Sequence, residues 1–369
     1  MHDSLFQPLE LGAITAPNRI LMAPLTRGRA DDGFVPNAMM AEYYAQRASA
    51  GLIISEATGI SKEGLGWPSA PGIWNEAQVQ GWKGVTKAVH DAGGRIILQM
   101  WHMGRIVHPV FLDGEPGVSA SATTAPGHAH TPQGRQDHQQ ARALTVADIA
   151  RVVQDYRTAA INAKTAGFDG VQLHGANGYL VDQFLRSTTN LRTDEYGGSA
   201  ENRTRFLDEV LTELVDVWGA DRVSLRLSPN GDTQGADDPN PAEIFGEAAK
   251  VAEKHKIGFL ELRQPGPDGT FGATDVPQQD EHIRSIYSGP LVLNSDYGAE
   301  DAAGDVKNGR CDAVSFGRPF ISNPDLPRRI AVGAEFAPNV NVPQTWYFPG
   351  PAGYIDYPTL EQEEAVTAA

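Results

Sequence analysis

The sequence predicts one (β/α)8 barrel domain spanning residues 1–369, with an N-terminal hairpin and a long lid-like loop after strand three. Three observations carry this: eight strand-like runs recur along the chain, amphipathic stretches separate them, and the runs are apolar nearly throughout rather than alternating. Continuous apolar runs belong to parallel strands covered on both faces. Eight such strands alternating with helices close into a barrel. A doubly wound open sheet is the rival arrangement.

The runs fall at 19–24, 52–57, 95–100, 169–174, 223–228, 259–263, 291–294 and 311–317. The clearest helix follows Ser199, a good N-cap with Glu201 in the first turn. Its apolar positions Leu207, Val210, Leu211, Leu214 and Trp218 share one face. Ahead of the first strand, Gly12-Ala13 and Ala16-Pro17-Asn18 are turn signals, and a hairpin there would plug the barrel bottom. Residues 105–142 are rich in Gly, Pro and His and have no helical period. A loop of that length is a lid or substrate loop, or else a surface insertion. The acidic tail, 359–369, is expected to fray.

Composition narrows the function. Hydrophobic residues are 41% and charged residues 21%, ordinary for a globular protein, and the formal net charge of −16 disfavours nucleic acid and anionic membrane as partners. No apolar run approaches the roughly 20 residues of a membrane span. The opening residues carry neither a basic nor an apolar signal segment, so a cytoplasmic setting is expected. Cys311 is the only cysteine, which excludes an intramolecular disulfide and a cysteine-rich metal site, and no metal is expected.

Barrel enzymes place their chemistry at the carboxyl ends of the strands. The fourth run ends in His174-Gly175-Ala176-Asn177-Gly178-Tyr179. His174 and Asn177 can both donate to one oxygen and Tyr179 can deliver a proton, a set suited to polarising a carbonyl and protonating its neighbour. Other ends are polar too: Ala23-Pro24-Leu25-Thr26-Arg27, Ser55-Glu56-Ala57-Thr58, Gln99-Met100-Trp101-His102 and Ser315-Phe316-Gly317-Arg318. Gln99 can donate and accept, as an imide edge requires. Arg226 sits inside an apolar strand and needs an anion or acceptor, a core salt bridge being the plain alternative. Gly317 and Arg318 end strand eight, where barrels bind phosphate. Six strand ends suited to one flat, polar, phosphorylated ligand are harder to explain separately than together.

These residues carry a resemblance. Ala23-Pro24-Leu25-Thr26-Arg27, Gln99-Met100-Trp101-His102-Met103-Gly104-Arg105 and the stretch from His174 through Gly197-Gly198-Ser199-Ala200-Glu201-Asn202-Arg203 are similar to the Old Yellow Enzyme family of FMN-dependent ene reductases. The match runs from Leu5-Phe6 to Tyr354-Ile355-Asp356-Tyr357-Pro358, and Thr26, where another branch carries Cys, resembles the cyclohexenone and N-ethylmaleimide reductase branch.

The resemblance implies tightly bound, non-covalent FMN, with NADPH or NADH as reductant, in a monomer or homodimer. Pro24, Leu25 and Thr26 would lie along the flavin ring with Ala57 beside it. Gln99 would meet its N3/O2 edge, and Arg226 its N1/O2 side, which would give the buried cation its missing partner. Asn294, Ser295, Asp296, Gly317 and Arg318 would hold the phosphate. Asp296 puts a carboxylate near that dianion: either only its backbone N–H serves, or, the favoured reading, it caps the helix starting near Ala299. His174 and Asn177 would grip the substrate oxygen while hydride passes from flavin N5 to the β-carbon of an activated alkene, and Tyr179 would protonate the α-carbon. Trp101 and Tyr347 would wall the pocket, Tyr347 alternatively packing the C-terminal segment.

The same reduced flavin could instead act on nitrate esters or nitroaromatics. The chain lacks a separate Gly-x-Gly-x-x-Gly turn, so the nicotinamide would visit the flavin site. A flavin-free aldolase or metal-dependent lyase would need a Schiff-base Lys or metal ligands at strand ends; no Lys ends an assigned strand, and Glu56 and Glu261 read as isolated. A non-catalytic flavoprotein would have no use for Tyr179.

Overall fold

The computed structural model describes residues 2–266, 276–337, 343–347 and 349–367. Eight parallel strands form its centre: β1 (Ile20–Met22), β2 (Ile53–Ile54), β3 (Ile96–Trp101), β4 (Val171–Gly175), β5 (Val223–Leu227), β6 (Phe259–Arg263), β7 (Leu291–Asn294) and β8 (Ala313–Phe316). Neighbours in sequence are neighbours in space, and β8 returns to pair with β1 through Ser315↔Leu21. The β3–β4 pairing, Leu98↔Val171 and Gln99↔Gln172, leaves no free edge. The sheet is therefore closed, and the open-sheet rival falls. The first two strands are shorter than their apolar runs. Pro24 has no N–H to continue a ladder, and the N–H of Glu56 donates to the Tyr44 hydroxyl (2.8 Å) instead of a neighbouring strand.

The period of two along each strand sorts side chains inward and outward. Leu21, Leu52, Ile54, Ile97, Phe259, Val292 and Ala313 point into the barrel and pack with Leu11, Ile14 and Ala16. Those three come from the expected hairpin, Leu9–Leu11 paired antiparallel with Ile14–Ala16, which plugs the amino-terminal end. Its turn needs Gly12: φ is +64°, and a Cβ there would stand 2.1 Å from the Asp221 carbonyl oxygen. One inward step higher, the filling becomes polar, with buried Gln99, Gln172, Glu261 and Ser315. The outward residues, Leu98, Leu173, Leu225, Leu260, Leu293 and Val314 among them, join the larger core under the helices.

That outer ring is α1 (Ala38–Ala45), α2 (Glu76–Asp91), α3 (Val146–Thr165), α4 (Ala200–Trp218), α5 (Pro241–His255), α6 (Asp280–Arg284), α7 (Ala299–Lys307) and α8 (Leu326–Val332). Ser199 caps α4 as expected, its hydroxyl accepting from the Asn202 N–H at 3.2 Å, and the predicted apolar face is buried. Short helices at Leu180–Leu185 and Arg318–Ser322 follow β4 and β8 directly.

Two expectations need amendment. The 105–142 segment has structure of its own: Val118–Ser119 pairs with Arg142–Ala143, and His128–Thr131 forms a hairpin with Gly134–Asp137. Burial alternates along His128–Thr131, the period of two of a strand rather than a helical one. The tail is helical over Leu360–Thr367 rather than frayed; Arg329 Nη2 pairs with Glu363 at 2.8 Å and the Leu360 N–H donates to Asp325 at 2.7 Å. Residues 368–369 of that tail lie outside the described residues.

Candidate active site

A cavity of about 660 Å³ opens at the carboxyl ends of the strands. Of the residues expected there, Pro24, Leu25, Thr26, Trp101, Asn177, Tyr179, Arg226, Asn294, Ser295, Asp296, Gly317, Arg318 and Tyr347 line it. Three expected residues sit in the layer behind. Ala57 packs with Trp101 and Leu65, Gln99 is buried and donates to Gln172 at 2.8 Å, and the His174 ring lies 5.0 Å from that of Tyr179.

The turn after β4 is built to aim donors. His174 Nδ1 accepts from the Ala176 N–H at 3.3 Å, which places the ring's remaining hydrogen on Nε2. Burial, with the Arg226 and Arg263 cations adding to it, pushes the His174 pKa well below its ordinary value, so the imidazole is neutral. Asn177 takes a left-handed conformation at φ 60°, and its N–H donates to Ser228 Oγ at 2.8 Å. Its Oδ1 accepts from Arg263 Nη1 at 2.9 Å, which leaves the amide nitrogen as the donor it can offer a ligand. The Gly178 N–H donates to Asp182 Oδ2 at 2.9 Å, and the other oxygen of that carboxylate pairs with Arg186 Nε at 2.9 Å. Tyr179 stands edge-on to Trp101, centroids 5.0 Å apart. Burial pushes its phenol up to about 12, so it holds its proton.

Arg226 corrects one expectation. Its partner is already in the barrel: Glu261, directly opposite on β6, pairs with Nη1 at 2.5 Å, and Asn294 Oδ1 accepts from Nη2 at 2.6 Å. The core salt bridge is therefore real, and Glu261 is not isolated. Glu56 is not isolated either; it accepts from the Arg27 and Gly28 N–H groups at 3.1 and 3.3 Å. The pairing escaped the sequence because it depends on strand register, which no single run reveals.

At the opposite end, Asp296 does not cap α7. Gly298 holds the N-cap position without a side-chain bond, and Asp296 instead pairs with Arg318, Oδ1 lying 3.2 Å from Nε. The nearby guanidinium outcompetes backbone amides as partner to a carboxylate. Ser295 Oγ donates to the Pro265 carbonyl at 3.0 Å, and Asn294 Nδ2 to that of Ser315 at 2.8 Å.

The cavity also contains residues not singled out from the sequence: Arg263 and Gln264 at the end of β6, Thr233 and Gln234 after β5, and Trp67, Trp346 and Ile321. Burial and Arg226 pull the Arg263 pKa down to about 9, with Asp296 opposing. Arg263 was visible as the charged end of an apolar run; nothing local separated it from a surface Arg. The segment bearing Trp346 and Tyr347 is clasped from below. Arg27 donates to the Trp346 and Gly353 carbonyls at 3.1 and 2.7 Å, and Arg29 to those of Trp346 and Thr345 at 2.5 and 2.7 Å. The Tyr347 ring is 5.2 Å from Trp67. It both lines the cavity and packs the C-terminal segment.

A flat, phosphorylated, carbonyl-rich cofactor fits this donor set. Arg226 Nε and Gln264 Nε2 are buried with no hydrogen-bond partner among the described residues, and both side chains line the cavity. Unsatisfied buried donors are costly unless a ligand takes them. The far end offers the Arg318 guanidinium and the start of the helix that follows Gly317.

A closed barrel with such a mouth is compatible with an oxidoreductase built around a flavin, and comparisons with known proteins show that class. Residues 4–336 match the model of the NADH:flavin oxidoreductase / NADH oxidase family. The Old Yellow Enzyme homologue of Zymomonas mobilis superposes with a TM-score of 0.94 at 54% identity, covering 96% of this chain and 99% of that one. Morphinone reductase, solved in complex with tetrahydroNAD, gives 0.90 at 43% identity, covering 96% and 97%. A probable flavin mononucleotide-dependent alkene reductase of Leishmania infantum is 42% identical over 97% of this chain and 98% of its own. The chain belongs to the NADH:flavin oxidoreductase / NADH oxidase family, alongside the Old Yellow Enzyme homologues, and is an oxidoreductase of the kind that acts with NAD(P)H and flavin. No helix among the described residues is long and apolar enough to cross a membrane.

Proposed function

We propose that the protein is an FMN-dependent ene reductase that takes reducing equivalents from NADPH or NADH and passes them to activated alkenes: α,β-unsaturated ketones, aldehydes, imides and nitroalkenes. The observation that carries this is the grouping of a neutral His174 at the end of β4, just behind the cavity wall, with the Asn177 amide and a protonated Tyr179 on the turn that follows. FMN, when bound, supplies hydride at N5 for the β-carbon.

Pro24, Leu25 and Thr26 would flank the cofactor ring, with Ala57 behind. Gln99 and Arg226 would serve its pyrimidine edge, and Gly317, Arg318 and the 294–296 segment its phosphate. The Asp296–Arg318 pair supports a backbone role for Asp296, its carboxylate being engaged at the guanidinium rather than aimed at a dianion. His174 Nε2–H and the Asn177 amide hold the substrate oxygen and strengthen their bonds as it gains charge, which favours the transition state over the ground state. Tyr179 then releases its phenolic proton to the α-carbon.

Trp101 and Tyr347 enclose the substrate. The 105–142 segment closes over the same side: Arg105 Nη2 donates to the carbonyl of cavity residue Gln234 at 2.8 Å, and His130 packs 4.8 Å from Trp67. The single, buried Cys311 accords with a reducing, cytoplasmic setting.

Tyr179→Phe tests the reading. Flavin reduction by NADPH should proceed as in the wild type, while reoxidation by cyclohexenone slows by roughly 10²–10⁴-fold, the usual contribution of a positioned acid. Equal losses in both half-reactions, read by stopped-flow absorbance, would reject the proton-donor role.

A further inference from the structure

Beneath the cavity, five side chains from five strands make one buried network centred on a carboxylate. Gln99 Nε2 donates to Gln172 Oε1 at 2.8 Å, and Gln172 Nε2 donates to Glu261 Oε2 at 3.0 Å. Ser315 Oγ donates to Glu261 Oε1 at 2.5 Å, and Arg226 Nη1 pairs with that oxygen at 2.5 Å. Glu261 is fully buried. Neither the flat-ligand reading nor the substrate turn gives this carboxylate a task, yet a buried charge is retained at a cost.

Two consequences follow from its chemistry. An ionised carboxylate only accepts, so Gln172 must turn its NH2 toward Glu261 and its carbonyl toward Gln99; Gln99 must then spend one N–H on Gln172. One charge therefore fixes the orientation of two amides. The second consequence is electrostatic. Arg226 lines the cavity, and its positive charge favours the reduced flavin, which carries more negative charge than the oxidised form. Glu261 lies 2.5 Å from the same guanidinium, in a water-excluded layer where charges are weakly screened.

We infer that Glu261 is a positioning residue that holds the flavin's reduction potential down, balancing Arg226 and orienting Gln99 through Gln172. This inference rests on FMN occupying the cavity. Its effect is to make the reduced cofactor a stronger donor toward the alkene, at the expense of easier reduction by the nicotinamide.

The test is the reduction potential of the flavin-loaded protein, measured by anaerobic equilibration against a reference dye. Glu261→Gln removes the negative charge, and the potential should rise by at least a tenfold change in the reduced-to-oxidised ratio, about 30 mV for a two-electron couple. Ser315→Ala removes a hydroxyl dipole that offsets the carboxylate, and the potential should fall. A merely structural role would alter stability and leave both potentials in place. An unchanged or lowered potential in flavin-loaded Glu261→Gln overturns the inference. Should that variant fail to fold, Ser315→Ala decides: a fall supports it, and an unchanged or raised potential overturns it. A wild-type protein that binds no flavin fails the proposed function itself; a yellow wild type beside an unshifted Glu261→Gln fails this inference alone.

Discussion

His174 and Tyr179 are five ångströms apart, centroid to centroid, and burial moves their pKa values in opposite directions. His174 is pushed well below its ordinary value, so it stays neutral at any pH above that lowered value. Tyr179 is pushed up to about 12, so its proton is present at any pH well below that. Both groups are therefore in the forms their proposed roles require across the neutral range. The rate of flavin reoxidation by an enone is expected to be flat from about pH 6 to about pH 9; a break near the ordinary histidine value would show His174 titrating in the working range. Asn177→Ala removes one of the two proposed oxygen donors and should lower kcat by roughly 10²–10³-fold, as for other oxyanion donors. An unchanged kcat with cyclohexenone would remove Asn177 from that role. These three residues could be read in the sequence because they cluster just past one apolar run. The Arg226–Glu261 pair could not, since its members are joined only through register across β5 and β6.

Elements place these groups, and the elements whose cause is local were the legible ones. The Ser199 cap and the apolar face of α4 were evident from spacing alone. Ser199→Ala should cost about 1 kcal/mol, the usual value of an N-cap, read as a lowered urea midpoint; no change would mean the cap is redundant. The hairpin at His128–Thr131 and the tail helix are not legible in the sequence because neither is announced by a long apolar period; Arg329 and Asp325 tether the tail from α8 and its N-cap residue. Least legible was the clasp of Arg27 and Arg29 on the 345–353 carbonyls, a contact spanning more than 300 residues of sequence. Bonds from a charged donor contribute about 1.5–3 kcal/mol each. Arg29→Ala should thus free the segment bearing Tyr347, raising KM for a bulky enone and exposing the segment to limited proteolysis. Wild-type KM and cleavage rate together would show that the clasp does not position Tyr347.

The whole barrel converges on one site: hairpin below, a polar layer at mid-height, and loops from most strands above. That architecture was legible because continuous apolar runs at regular intervals leave few other folds. Arg226 Nε and Gln264 Nε2, buried donors without partners among the described residues, would tie stability to the proposed flavin. Added FMN at about 100 times its Kd should stabilise the protein by about 2.7 kcal/mol through mass action, seen as a Tm that rises with FMN concentration. The most direct measurement is the visible spectrum of the purified protein, titrated first with NADPH and then with cyclohexenone in the absence of oxygen. A flavin band that bleaches with the first reagent and returns with the second is the expected result. A colourless protein that takes up no added FMN would contradict the account.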